Sequence, residues 1–307
     1  MVNNTEDKNN KMKSPETMAY LVWKRFRRHP GAMAGSVILT ILILAVLLAG
    51  LLPYDPEISD IANRYQPPSW SHPFGTDGLG RDILVRVLYG GRVSLSVGFM
   101  VVAITLSIGV PIGAIAGYFG DWVDSVLSKV IDATLSLPAL MFMILLSAIL
   151  REIDLPFVKG NSMFTIAIVL GVLSWPTVAR LVRAVFLTFR EMEYVTAAKA
   201  LGASNFRIIV SEILPNGFGP IIVESTLGIG YAIMEESTLS FLGFGIMPPT
   251  PSWGNLLDNA QEHLSQYPWL AIFPGLMIFL TIISVNFIGD GLRDALDPYK
   301  ILAQIDE

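Results

Sequence analysis

The sequence predicts an all-α polytopic membrane protein with six transmembrane helices, on three observations. Hydrophobic residues fill 52% of the 307 positions and charged residues only 15%, with a mean hydropathy of +0.56, a balance outside that of ordinary soluble domains. Several stretches are uncharged and long enough to cross roughly 30 Å of hydrocarbon as helices. Lysine and arginine fall unevenly between the segments that join those stretches, as the topology of a membrane chain requires.

Residues 1–15 are mostly Asn, Lys, Glu, Asp, Ser and Thr, too polar to bury a core, so 1–30 reads as a cytoplasmic tail, disordered at its start. The tail is too long, and the apolar stretch after it too extended, for a cleaved leader. The first span is 31–52, uncharged from Ala32 to Leu52. Residues 53–91 read as extracytoplasmic: rich in Pro, Gly and aromatics, then amphipathic from Arg81 to Val93, with Ile83, Leu84, Val87 and Leu88 at helical spacing. This segment fits an ordered outer cap, and equally a helix lying on the outer leaflet.

Residues 92–290 form the core, with spans expected at Val93 to Phe119, Ala133 to Leu150, Phe164 to Ala179, Gly217 to Leu242 and Trp269 to Gly289. Residues 291–307 read as a second cytoplasmic tail. In the second span Gly109, Gly113 and Gly117 form a ladder of small residues around Pro111, a pattern that lets helix backbones approach where lipid supplies no hydrophobic drive. With both termini inside, fifteen Lys and Arg (Lys8, Lys11, Lys13, Lys24, Arg25, Arg27, Arg28, Lys129, Arg180, Arg183, Arg190, Lys199, Arg207, Arg293, Lys300) lie on the inner side. Six (Arg64, Arg81, Arg86, Arg92, Arg151, Lys159) lie on the outer side. That bias orients the chain.

Composition removes several chemistries. There is no Cys, hence no disulfide or thiol nucleophile. His29, His72 and His263 are far apart, so no metal site is expected. A net charge of −5 does not suit a nucleic-acid partner. No Gly precedes a Lys, so the GxxxxGK[ST] phosphate loop is missing, and no GxSxG elbow is present. No catalytic residue is expected.

The informative segment is the loop 190–216. Residues from Glu193 read as a helix that stops at Gly202, followed by a second short helix and by Leu214-Pro215 at the entry to the next span. Tyr194, Ala197, Ala198 and Leu201 share one low, packable face, suited to a groove on another protein. The loop resembles that of the membrane subunits of ABC importers, whose pattern is Glu-Ala-Ala, three residues, Gly, nine residues, Ile, one residue, Leu-Pro. Ala197, Ala198, Gly202, Leu214 and Pro215 match; Thr196 stands in the Glu place and Glu212 in the Ile place.

Further motifs run from His72-Pro-Phe-Gly-Thr-Asp-Gly-Leu-Gly-Arg-Asp through Tyr89-Gly-Gly-Arg and Leu239-Ser-Phe-Leu-Gly-Phe-Gly. Pro251-Ser-Trp-Gly and Asn286-Phe-Ile-Gly-Asp-Gly-Leu-Arg-Asp complete the series. Together they resemble the C-type subunit of the dipeptide, oligopeptide and nickel permeases. The resemblance implies a type I ABC importer permease fold in a bacterial inner membrane, importing peptides. It implies a homologous second permease subunit, two cytoplasmic ATPase subunits that bind ATP and Mg, and an extracytoplasmic substrate-binding protein. It also implies coupling to the ATPase through Glu193, Tyr194, Ala197, Ala198, Leu201, Gly202, Ala203, Leu214 and Pro215. The same machinery importing nickel or a metallophore is the alternative. An ion-coupled secondary transporter would call for paired midplane charges and an inverted repeat.

Glu224, Glu235 and Glu236 lie within a span, where a charge costs about 2.5–3.5 kcal/mol on insertion scales, so each should face protein, water or a cavity. They are the candidate pathway residues, carboxylates to oppose a peptide amine; Glu235 and Glu236 also fit a capping role near Gly243. Asp132 is expected to pair with Lys129 one turn away or with a neighbouring subunit. Asn286 should bond across helices, Trp175 and Pro176 should kink or anchor their span, and Trp253, Tyr267 and Trp269 read first as an interfacial aromatic belt.

Overall fold

A computed structural model describes residues 18–52, 55–153 and 160–297. Helices α1 (Met18–Phe26) and α2 (Pro30–Leu48) come first, then the long α3 (Ile83–Phe119), α4 (Asp121–Leu135), α5 (Ala139–Glu152) and α6 (Ser162–Phe189). The loop carries α7 (Glu193–Ala200), then α8 (Asn205–Arg207), which runs into a π-helical turn, Ile208–Ile213. The helices α9 (Phe218–Phe241), α10 (Trp253–Gln261) and α11 (Trp269–Leu296) complete the order. No strand occurs among the described residues, only an isolated bridge between Thr76 and Asp82.

Local chemistry sets the ends. Pro30 opens α2, where its missing N–H costs nothing, and His29 Nδ1 accepts from the Ala32 N–H at 3.0 Å. The Asp82 carboxylate caps α3 by accepting from the Val85 N–H at 3.0 Å. Gly120, at φ +67°, ends α3 and turns the chain into α4, a conformation that favours glycine.

Crossings alternate between two ends of the bundle. α3, α6 and α11 finish at one end beside α7 and α1: the Tyr118 hydroxyl donates to Asn205 Oδ1 at 2.8 Å, and Phe26 packs with Ala295. α9 and the α4–α5 pair run the other way; Arg151 reaches the Gly245 carbonyl at 2.8 Å, beyond the end of α9. The 55–82 segment and α10 close that second end. Among the described residues four helices are long and apolar enough to span, and two bent pairs, Asp121–Leu135 with Ala139–Glu152 and Asn205–Ile213 with Phe218–Phe241, raise the number to as many as six where each pair is one span.

The α3–α6 pair is the axis of the fold. A Cβ added at Gly109 would lie 2.8 Å from the Trp175 carbonyl, one at Gly117 would lie 2.6 Å from that of Arg183, and one at Gly113 would strike the Ala179 carbonyl. The ladder therefore brings two backbones together, as its spacing indicates. Around it Val97, Val101, Ile166, Leu170, Ala232 and Leu239 form the main buried cluster.

The structure departs from the sequence reading at several points. The amphipathic stretch 81–93 and the span after it are one helix of 37 residues, about 56 Å at 1.5 Å per residue and far longer than the hydrocarbon core. Gly90 and Gly91 do not break it, because Ser252, Trp253 and Val46 lie against them. The third span bends by 85° at Ser136–Pro138, where Pro138 disfavours helical geometry at Leu137. Asp132 pairs with Arg180 of α6 at 2.7 Å instead of Lys129. Asn286 is exposed on α11, and among the described residues its side chain makes no hydrogen bond to another helix. Trp253 does not belong to a belt, since it is fully buried with its indole N–H on the Val87 carbonyl at 2.9 Å, while the half-buried Tyr267 stacks on Tyr65 and the half-buried Trp269 donates its indole N–H to the Thr76 carbonyl at 3.4 Å. Each indole N–H finds a backbone carbonyl within the chain, on α3 for Trp253 and in the 55–82 segment for Trp269.

Candidate functional site: an exposed loop and an acidic helix face

α7 ends with the bonding of a left-handed cap: the Gly202 N–H donates to the Lys199 carbonyl and the Ala203 N–H to the Ala198 carbonyl, both at 3.0 Å, with Gly202 at φ +80°. The Ser204 hydroxyl then accepts from the Arg207 N–H at 3.4 Å and starts the second helical piece. Helix, left-handed stop and second helix follow in the order the sequence predicts.

The loop is seated on the axis of the fold. Val195, Ile208 and Ile213 are fully buried and join Ala114, Tyr118, Val182 and Phe186 in one cluster. The Lys199 ammonium sits 5.5 Å from the Tyr118 ring centroid, a cation–π contact that adds to the Tyr118–Asn205 bond. The opposite surface is bare: Leu201 is 88% exposed and Phe206 76%. Glu193, Tyr194, Ala197 and Pro215 are also exposed, and Ala198, Ala203 and Leu214 half-buried. Although the Tyr194 side chain is exposed overall, partial desolvation raises its hydroxyl pKa above the ordinary value, with the Asn216 side chain opposing the shift. Sequence reasoning missed Phe206, whose only signal was a lone aromatic between polar neighbours, and the three buried anchors, whose spacing follows no single helical period.

The three glutamates of α9 separate. Glu224 and Glu235 are eleven residues apart, so at 100° per residue they fall on one face about 16 Å apart. Both are half-buried, and Tyr231, on that same face, is 63% exposed. Glu236 points elsewhere. It is fully buried, and its carboxylate accepts from the hydroxyls of Ser240 at 2.6 Å, Ser94 at 2.9 Å and Ser237 at 3.5 Å. Ser94 also accepts from the Trp253 N–H at 3.2 Å, and Ser240 from the Ile246 N–H at 2.9 Å. One carboxylate thereby ties α9 to α3 and to the start of α10, where Ser252 and Asn255 form a reciprocal capping box.

At the loop end, Arg183 of α6 clamps Asp124 of α4 through both carboxylate oxygens. Among the described residues no group of three His, Cys, Asp or Glu could hold a metal ion.

This arrangement, a helical membrane bundle presenting a short helix–turn–helix, is the architecture of ABC importer permeases. The fold overlays on a subunit of the MetNI methionine ABC transporter in an inward-facing conformation, with a TM-score of 0.56 at 17% identity, over 69% of this chain and 96% of that one. An amino acid ABC transporter structure matches with a TM-score of 0.51 over 68% and 92%. Residues 109–301 match the family model of the binding-protein-dependent transport system inner membrane component, and residues 17–68 that of the N-terminal TM domain of oligopeptide transport permease C. The chain belongs to this family of inner-membrane transport components, in its oligopeptide permease C branch. The dipeptide transport system permease protein DppC of Alkalihalophilus pseudofirmus is 42% identical over 90% of this chain and 88% of its own length. The glutathione transport system permease protein GsiD of Pectobacterium atrosepticum is 37% identical over 90% and 89%.

Proposed function

We propose that this chain is the membrane-spanning half of an ATP-driven importer of peptides. A homologous permease subunit supplies the other half of the pathway, two cytoplasmic ATPase subunits bind ATP and Mg, and an extracytoplasmic binding protein delivers the substrate. Residues 1–30, the loop 190–216 and residues 291–307 face the cytoplasm; 53–91 lie outside, and 92–290 form the permease core. The names of the relatives, dipeptide and glutathione permeases, support a peptide cargo.

The observation that carries the reading is the pairing of an anchored side and a bare side in one loop. Large apolar side chains exposed at the tip of an ordered element mark a protein contact, and Leu201 and Phe206 are such a tip. Closure of the ATPase pair pushes this tip, and the buried Val195, Ile208 and Ile213 pass the displacement to α3 and α6. Glu224, Tyr231 and Glu235 line the wall of the pathway, where the two carboxylates oppose the amine of a passing peptide. Leu201→Asp with Phe206→Asp should abolish ATP-dependent peptide uptake in proteoliposomes while the chain stays in the membrane. Normal uptake by that variant refutes the coupling role.

A further inference from the structure

The 55–82 segment, the first turns of α3, α10 and the start of α11 enclose a cleft of about 270 Å³ at the end of the bundle opposite the loop. Its polar walls are Tyr65, Asp77, Arg81, Arg86, Asn259 and His263. The first carboxylate there is already saturated. Asp77 Oδ2 accepts from Arg81 Nε at 2.8 Å, and Oδ1 from the Leu79 N–H at 2.8 Å and the Arg81 N–H at 3.0 Å.

Arg86 is not saturated. Its side chain is 3% exposed, its Nε stands 3.7 Å from Asp77, beyond hydrogen-bond reach, and that buried N–H has no partner among the described residues. Its Nη1 donates to the Pro56 carbonyl at 3.1 Å. Glu57 belongs to a neighbouring hollow with Tyr89 and Arg92 and does not line the cleft. Two guanidinium groups thus face the one carboxylate that lines the cleft, and Glu57 acts on Arg86 only through space from the adjoining hollow. An orphaned buried donor on a charged group is costly to keep, and a guanidinium fork is shaped to receive a carboxylate.

The opposite wall is held in place. Tyr65 stacks on Tyr267 with ring centroids 4.1 Å apart, and its hydroxyl lies 2.9 Å from His263 Nε2. The volume falls just below the range of sites for drug-sized ligands: it takes one carboxylate-bearing group and cannot take a whole oligopeptide.

We infer that this cleft is a carboxylate-binding site, with Arg86 as the receiving cation and His263 and Asn259 at its mouth. The carboxylate comes from one of two sources: the C-terminus of a free peptide, or an acidic side chain of a protein seated on the cap. The choice between them rests on the importer reading; the chemistry of the cleft does not.

The test replaces Arg86→Lys in the full chain, in membranes that contain its natural partner proteins. A water-soluble carbodiimide is added with isotope-labelled di-alanine or its C-terminal amide, and position 86 is examined by mass spectrometry. An amine in the cleft forms an amide with any carboxylate lodged there. Coupling to di-alanine but not to its amide identifies a free peptide; coupling to a carboxylate of another chain identifies a docked protein. Either yield should exceed that of Arg64→Lys, on the exposed surface of the cap, by about tenfold, the gain a charge-assisted contact supplies. Coupling confined to Asp77, or a yield equal to that of Arg64→Lys, overturns the inference. Should Arg86→Lys fail to reach the membrane, Asn259→Lys puts an amine at the mouth of the cleft with the same readout. Uptake is not measured, so failure here is distinguishable from failure of the importer reading.

Discussion

Replacing Gly202 in turn with asparagine, alanine and valine isolates the backbone of the loop from its packing. Gly202 sits at φ +80°, and a Cβ added there would meet nothing within 4 Å. Crowding is therefore excluded as a cause, and only the left-handed conformation remains. An L-residue pays roughly 1–2 kcal/mol there, asparagine least because it tolerates that region, and a β-branched residue most. The penalty falls on a cap held by two backbone bonds, Gly202 to Lys199 and Ala203 to Ala198. A change of 1–2 kcal/mol shifts a local equilibrium by roughly five- to thirtyfold, enough to melt the turn between the two helical pieces while Val195 and Ile208 keep the rest seated. ATP-driven uptake in proteoliposomes should stay near normal for Gly202→Asn, fall severalfold for Gly202→Ala and fall furthest for Gly202→Val, with membrane abundance unchanged across the series. Equal activity in all three would refute the argument, as would a loss in Gly202→Asn as large as in Gly202→Val.

Gly113→Leu drives a side chain into the Ala179 carbonyl and Val182, so it should lower the melting temperature of the purified chain, whereas Gly219→Ala, whose nearest neighbour is Leu296 at 3.6 Å, should not. Glu236→Leu leaves the buried Ser94 and Ser240 hydroxyls without an acceptor, at about 1–3 kcal/mol each, and should destabilise the chain more than Glu236→Gln in the same assay. Asp132→Ala breaks a pair whose side chains are 57% and 67% exposed and should cost under about 1 kcal/mol. Asp124→Ala, which strips a two-point clamp from the half-buried Arg183, should cost more; equal costs would show that the clamp adds nothing.

The spans and the loop were legible because each follows a rule local in sequence. An uncharged run of twenty residues has few alternatives to a transmembrane helix, and a glycine closing an alanine-rich helix announces its own stop. The Gly109–Gly113–Gly117 ladder was legible for the same reason, although its partner, α6, was not. What sequence could not show depended on residues brought together from far apart. The Arg180–Asp132 bond joins positions 48 apart and competes successfully with a local pairing to Lys129. Trp253 looks interfacial until α3 arrives with the Val87 carbonyl, 166 positions away. Adjacent glutamates at 235 and 236 read alike, yet a 100° step in helix rotation sends one toward an open face and buries the other among serines.

That last divergence has a mechanical consequence. Glu236 knots α9 to α3 at the cap end, while the glycine ladder and the seated loop join α3 to α6 at the other, so α3 takes part in all three of these contacts. At about 56 Å it reaches from the cluster that holds the loop to the cleft beside Arg86, which lies in its first turn. On the proposed reading, a push on Leu201 and Phe206 meets interfaces packed at backbone distance, and such interfaces shift between discrete arrangements in place of deforming smoothly. The helices break elsewhere: by 85° between α4 and α5 and by 72° before α9. On the proposed reading, the work of the ATPase pair moves α3, α6 and the cap together, and the pathway opens by rotation of the α9 face about the π-helical turn that precedes it.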